Sequence, residues 1–345
     1  MRIISYWPNR ALSQGEIVNI DKLTDNDIVH IQDVFDQNNL NWLFKKGNPK
    51  YIVSNFITWV DSPIFYGLPF FANYALKSIT KVLDFDNNFN TSTCFNFMIN
   101  KKSISRFLCI KLVELFKLND FDYTWSAVDT MADMSNTITE LTMLGNKSPL
   151  DSTAQSFLMS PIELKKKFIT FSTDNNYLKN NIGEGNYGDN AWAWKNGLQT
   201  IFLNSAISLI TEPLTYHRGS YFTEKTLYSV LGLTFPIWIG GYNMANDWKK
   251  LGFDVFDDII DHSYQCYDTL IERCYYAVSL NYELLSNRNK ISEFRLICKD
   301  RLLKNRELLL QNQLEKFMNQ ATSNFPQDLQ VAIPNIIDSI NSGKL

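Results

Sequence analysis

Arg106 and the pair Glu224–Lys225 are the residues whose types and settings could do chemistry. Arg106 lies in Cys94-Phe-Asn-Phe-Met-Ile-Asn-Lys-Lys-Ser-Ile-Ser-Arg-Phe-Leu108. That stretch reads as a strand, a polar loop and the start of a helix. Backbone N–H groups and the helix dipole at such a junction favour an anion. Lys101 and Lys102 add positive charge, and the planar fork of Arg106 suits two phosphate oxygens. The second segment runs from Ile207-Ser-Leu-Ile-Thr-Glu-Pro213 through Tyr221-Phe-Thr-Glu-Lys-Thr-Leu227 to Phe235-Pro-Ile-Trp-Ile-Gly-Gly-Tyr242. It reads as strand, loop, helix, strand and Gly-rich turn. Glu224 and Lys225 then open a helix at the carboxyl edge of a sheet, where ligands of open α/β sheets bind. A carboxylate there can accept from sugar hydroxyls, and an ammonium can meet a phosphate. Read alone, a first-turn Glu is also an ordinary helix-stabilising residue, and a Lys-rich loop is an ordinary solvated one.

The second segment resembles the donor-binding signature of the α-1,3-fucosyltransferase family. That signature is a strand ending in Glu, a short loop, Tyr-x-Thr-Glu-Lys, an apolar helix and a Pro-Ile-x-x-Gly strand. Glu212, Tyr221, Thr223, Glu224, Lys225, Pro236, Ile237 and Gly240 stand in that order. Asn100, Arg106 and Phe107 are similar to the family's strand-Asn-loop-Arg-aromatic element. The resemblance covers about residues 94–118 and 206–260. Exostosin-like and other two-domain glycosyltransferases share a looser version of it. It implies a GT-B-like fold, two Rossmann-like domains facing across a cleft, with a nucleotide diphosphate sugar as donor substrate and no cofactor. Asn100, Arg106, Glu212, Tyr221, Glu224 and Lys225 would contact that donor. A carboxylate of the first domain would take the proton of the acceptor hydroxyl; Asp61 is the choice and Asp33 the fallback. Transfer would invert the anomeric centre and need no metal. Pro213 stands where the family has Asn, and the loop from Glu212 to Tyr221 is longer, which leaves the sugar open.

Three other patterns compete. Asp84-Phe-Asp86 resembles the Asp-x-Asp by which single-domain, GT-A-like glycosyltransferases hold a divalent metal, although Asp120-Phe-Asp122 shows that the triplet arises by chance here. Gly183-Glu-Gly-Asn-Tyr-Gly188 fits the dinucleotide fingerprint by letter, but the polar run before it is not a strand, and the fingerprint requires one. It reads as a loop or lid. His217 and Trp192-Ala-Trp194 could touch a sugar, yet a solvated loop and a packed core are their more ordinary settings. A non-catalytic carbohydrate- or protein-binding module on a transferase scaffold is the alternative from another class. Arg106, Glu224 and Lys225 argue against it, since such a relic needs no diphosphate grip.

Elements able to position these residues are legible. Apolar runs at Ile3–Tyr6, Ile28–Ile31, Tyr51–Ile57, Cys94–Ile99, Ala206–Thr211 and Phe235–Ile239 read as strands. They alternate with helical periodicity, as in Phe107–Leu118, which predicts an α/β fold with parallel sheets. A boundary in the polar stretch Asp86–Thr93 separates an acceptor-side domain, 1–90, from a nucleotide-sugar-binding domain, 91–345. The latter carries an Asn/Ser/Thr/Gly-rich insertion at about 131–196 and a helical tail. In the tail, Phe294, Cys298, Leu309, Leu314 and Phe317 are expected inside and Lys299, Arg301, Lys304 and Arg306 outside. With 345 residues, 45% of them hydrophobic, the chain can bury two cores. A net charge of -3 gives no general reason for nucleic-acid binding, except as an acceptor. Five scattered cysteines and three separated histidines suit a reduced, cytoplasmic setting without a His-rich metal site. Val230–Gly241, the most apolar run, is too short to span a bilayer, so no membrane partner is expected.

Overall fold

The computed structural model describes residues 2–6, 22–31, 43–54, 63–69, 72–73, 75–76, 89–99, 104–125, 194, 198–212 and 220–342. Asp33, Asp61, Asp84, Asp86, Asn100, Gly183–Gly188, Trp192 and His217 lie outside the described residues, as does the insertion apart from Trp194.

Among the described residues, two four-stranded sheets, each wholly parallel, organise the chain. The first has the order β1 (Arg2–Tyr6), β2 (Asp27–Ile31), β3 (Tyr51–Ser54), β4 (Phe65–Gly67). The second contains β5 (Thr93–Ile99), β6 (Phe121–Trp125), β7 (Ser205–Ile210) and β8 (Phe235–Trp238), in the order β6-β5-β7-β8. Strand order therefore reverses between β5 and β7. The expected Tyr51–Ile57 strand is described only to Ser54; residues 55–57 fall outside. Sequence reading places no strand at β4 or β6. Phe121-Asp-Tyr-Thr-Trp125 does alternate apolar with polar, but Asp122 reads together with Asp120, just before the strand, as an acidic triplet instead.

Alternation along the strands of the second sheet sorts its two faces. Phe95, Phe97, Phe121, Tyr123, Ile207, Leu209, Phe235 and Ile237 share one face and one core. Their rings stack across the ladder: Phe95 lies 5.2 Å from Phe121 and Phe97 lies 5.3 Å from Tyr123. Helix α1 (Ile104–Leu115) covers that face with Phe107, Leu108 and Leu112. Met98, Ile210 and Trp238 face the other way, under α2 (Gln199–Asn204) and α3 (Glu224–Leu231). Trp194 is buried there and stacks on Tyr228 at 5.3 Å, which places it in the core. The β5–β6 crossover thus lies on one face and the β7–β8 crossover on the other, as a doubly wound sheet requires.

After β8 the described α-helices are α4 (Met244–Lys250), α5 (Leu270–Ser279), α6 (Tyr282–Ser286), α7 (Arg288–Ile297), α8 (Lys299–Leu310), α9 (Gln313–Thr322) and α10 (Gln327–Ser342). On α8, Lys299 and Lys304 are exposed, but the solvated-face reading of the basic stretch needs two corrections. Arg306 is buried, because α8 packs on α3 and turns more than one side inward. Arg301 is clamped by Asp254 and Asp258 at 2.6–3.0 Å and lies over the Phe256 ring. The last helix leaves the second sheet and closes the core of the first. Leu329, Ala332, Ile333 and Ile336 pack on Ile28, Tyr51, Val53 and Leu68. Asp328 of that helix accepts from the Lys50 ammonium and, at 2.8 Å, from the Tyr51 hydroxyl.

Candidate functional site

The crevice at a strand-order reversal, outside the carboxyl ends of the strands, is where open α/β sheets hold ligands. Here it lies between β5 and β7. The two strand ends are knitted together: Thr211 Oγ1 donates to the Met98 carbonyl at 3.0 Å, and Ser105 Oγ donates to the Glu212 carbonyl at 3.4 Å. Helix α1 starts beside the end of β5 and brings Arg106 in its first turn. Helix α3 starts beyond the end of β7 and brings Glu224 and Lys225. The start of α3 is capped by Thr223, whose Oγ1 accepts from the Lys225 N–H at 3.3 Å. An N-cap threonine is a strong helix-start signal, and it fixes the frame in which the next two side chains project.

Four charged residues meet there. Lys225 Nζ lies 2.5 Å from Glu224 Oε1 and 3.4 Å from Thr223 Oγ1. Arg106, only 3% exposed, is partly desolvated, which lowers its proton affinity; Glu224, then Glu212, oppose that loss. Burial alone would raise Glu224, but Lys225 and, more weakly, Arg106 outweigh it, so the carboxyl sits below its ordinary value. The α3 N-terminus works in the same direction. Glu212 sits above the ordinary value, chiefly through burial, with Lys225 and Thr223 opposing and Glu224 reinforcing. Neighbouring carboxylates driven apart by their surroundings mark functional sites more often than chance.

Arg106, Glu212, Glu224 and Lys225 thus form one electrostatic cluster. Glu212 differs from the others in what its carboxylate touches. It is 1% exposed and turned toward the protein, accepting from the Thr223 N–H at 3.0 Å, the Thr223 hydroxyl at 2.5 Å and the Thr226 hydroxyl at 2.8 Å. It ties the end of β7 to the start of α3. Tyr221 is buried one residue after Ser220, which donates to Asp247 Oδ2 at 2.6 Å. Arg273 holds the Gly-rich turn after β8 through the Gly240 carbonyl at 2.9 Å and the Tyr267 and Asp268 carbonyls at 2.8 and 2.9 Å. Sequence reading misses Thr226, Trp238 and Arg273. The first two look like routine helix and strand residues, and Arg273 lies in a helix of its own far downstream.

A shallow groove of about 510 Å³ elsewhere, lined by Asp300, Lys304, Arg306 and Glu307, belongs to the helical tail and includes none of the four cluster residues. Among the described residues, no three His, Cys, Asp or Glu side chains come together as a metal site, and no helix is long and apolar enough to cross a membrane. Compared with protein-family models, curated proteins and solved structures, the chain matches none.

Proposed function

We propose that the chain is a glycosyltransferase that holds the diphosphate of a nucleotide sugar between the starts of α1 and α3. The observation that carries this reading is the convergence of Arg106 and the Glu224–Lys225 pair at the strand-order reversal of a doubly wound sheet. Both cations act electrostatically on the Glu224 carboxylate, which supports reading them as one grip for an anion with a carboxylate beside it for a hydroxyl. The acceptor oxygen attacks the anomeric carbon, and the bond from that carbon to the diphosphate breaks, its electron pair leaving with the diphosphate. The acceptor proton passes to a carboxylate of the first domain, for which Asp61 is the choice. Arg106 and Lys225 meet charge as it grows on the leaving group, where preorganised donors act most strongly. With two cations at the leaving group, neutralisation requires no metal, and attack from the opposite face inverts the anomeric centre.

The test is turnover of a nucleotide-sugar panel, as hydrolysis or transfer, in the presence of EDTA. At least one donor turns over. Lys225→Ala lowers kcat about 100- to 1000-fold, the typical effect of losing one such donor, and lowers it more than it raises KM. Arg106→Lys is also damaging, since a point charge does not reproduce the fork. A Lys225→Ala protein that turns over at the wild-type rate contradicts the assignment.

A further inference from the structure

Thr226 is the third residue of α3, within its first turn and facing away from the solvent, and Trp238 ends β8. Both are buried. The indole Nε1–H of Trp238 reaches Thr226 Oγ1 at 3.0 Å, and Thr226 Oγ1 lies 2.8 Å from Glu212 Oε1. The directions of these bonds follow from the groups themselves. An indole N–H can only donate, so Thr226 Oγ1 accepts from it and directs its single proton to Glu212. The Thr223 N–H also can only donate, and it meets the same carboxylate oxygen at 3.0 Å. Thr223 Oγ1 accepts from the Lys225 backbone N–H and directs its own proton to Glu212 Oε2 at 2.5 Å. Both oxygens of Glu212 are therefore addressed by donors from α3 and its cap, and the arrangement suits a carboxylate.

We infer that Thr226, braced by Trp238, is a positioning residue that holds Glu212 as an acceptor and thereby sets Thr223 and Lys225 for the anion. This rests on the reading of the cluster as a diphosphate grip, and it adds a residue that touches no ligand. The chain of contacts runs from β8 through Trp238, Thr226, Glu212 and Thr223 to the Lys225 ammonium. Among the described residues, the charged groups acting on Glu212 are Arg106 from α1 and Glu224 and Lys225 from α3. Of these, the cations favour the ionised carboxyl and Glu224 opposes it. Loss of the Thr226 donor removes a charge-assisted bond from a buried oxygen and orphans the indole N–H, an effect that in other proteins corresponds to roughly a tenfold change or more.

The experiment combines two readouts on the full chain. In the first, the Glu212 side-chain carboxyl 13C resonance, assigned by its disappearance in Glu212→Gln, is followed against pH without ligand. Thr226→Ser keeps the wild-type midpoint of the Glu212 transition, whereas Thr226→Ala moves it upward by about one pH unit. In the second, binding of UDP and GDP is measured by thermal shift. Thr226→Ala binds the preferred nucleotide about tenfold more weakly, and Thr226→Ser restores binding. Thr226→Ala that leaves both the midpoint and the binding unchanged overturns the inference. If Lys225→Ala abolishes binding while Thr226→Ala does not weaken it, the positioning role fails and the diphosphate grip stands. If the wild type binds neither nucleotide, the grip fails for those ligands, and the resonance alone decides the role of Thr226. Should Thr226→Ala not fold, Thr226→Val, which keeps the side-chain volume, carries the same predictions.

Discussion

Arg295 shows how a single side chain can hold the frame of the site from a distance. It is fully buried and donates to the Leu233 carbonyl at 3.1 Å, the Gly232 carbonyl at 3.2 Å and Thr91 Oγ1 at 3.4 Å, with its guanidinium over the Phe89 ring. Burial lowers its pKa to about 10, which still leaves it charged at neutral pH. The carbonyls it serves form the turn that ends α3, whose other end carries Glu224 and Lys225. Arg295→Met leaves those acceptors short of donors in the interior, at about 1–3 kcal/mol each. Denaturant unfolding of the variant shows a loss of at least about 2 kcal/mol; a loss within 0.5 kcal/mol, the ordinary surface value, contradicts the assignment. At this scale the sequence was informative where type and spacing coincide, as in Thr223-Glu224-Lys225. It was silent about Arg295, Thr226 and Trp238, whose roles come from partners far away in the chain. Glu212 was legible as a strand-end carboxylate, but its inward turn depends on two threonines that only the fold brings to it.

Elements carry the next constraint. Helix α3 must stop at Gly232 and return into β8. A Cβ on Gly232 would come within 2.3 Å of the Phe202 Cβ on α2 and 3.0 Å of the Tyr228 carbonyl. Gly232→Ala therefore forces α2 and α3 apart and costs about 1–3 kcal/mol as overpacking, measurable as a lower midpoint of thermal unfolding. An unchanged midpoint would mean that α2 yields freely. In the first sheet, Arg2 of β1 grips Asp27 of β2 with two bonds at 2.8 and 2.9 Å, and Thr24 donates to the same carboxylate. These contacts hold the Asp27 carboxyl down at about 2. A depressed folded-state value means that the stabilisation is complete above the unfolded carboxyl pKa near 4 and fades as pH falls toward 2. Asp27→Asn is thus less stable than wild type at pH 7, and the gap closes between pH 4 and pH 2. A gap that is constant with pH would contradict the pairing. Parallel strands were legible as apolar runs, because strands buried on both faces leave no other pattern. β6 was not, since its apolar positions alternate with aspartate and threonine.

At the scale of the whole molecule, the last helix ties the end of the chain to its beginning. Leu329, Ile333 and Ile336 recur at helical spacing and cover Ile28, Tyr51 and Val53 of the first sheet. Such a stripe announces burial but not its destination, and so sequence reading leaves the tail with the second domain. Removal of residues 327–345 uncovers that face of the first sheet. The truncated chain is expected to lose the first sheet's cooperative unfolding and to bind a hydrophobic dye, while the second sheet keeps its own transition. A single unchanged transition would show that α10 contributes nothing there. The crevice between β5 and β7 is tested most directly as a diphosphate site by calorimetric titration of the full chain with a panel of nucleoside diphosphates in EDTA. At least one nucleotide binds the wild type, and Lys225→Ala weakens that binding at least about tenfold, the loss of one charge-assisted contact. Binding that is absent for every nucleotide, or equal in wild type and Lys225→Ala, contradicts the account.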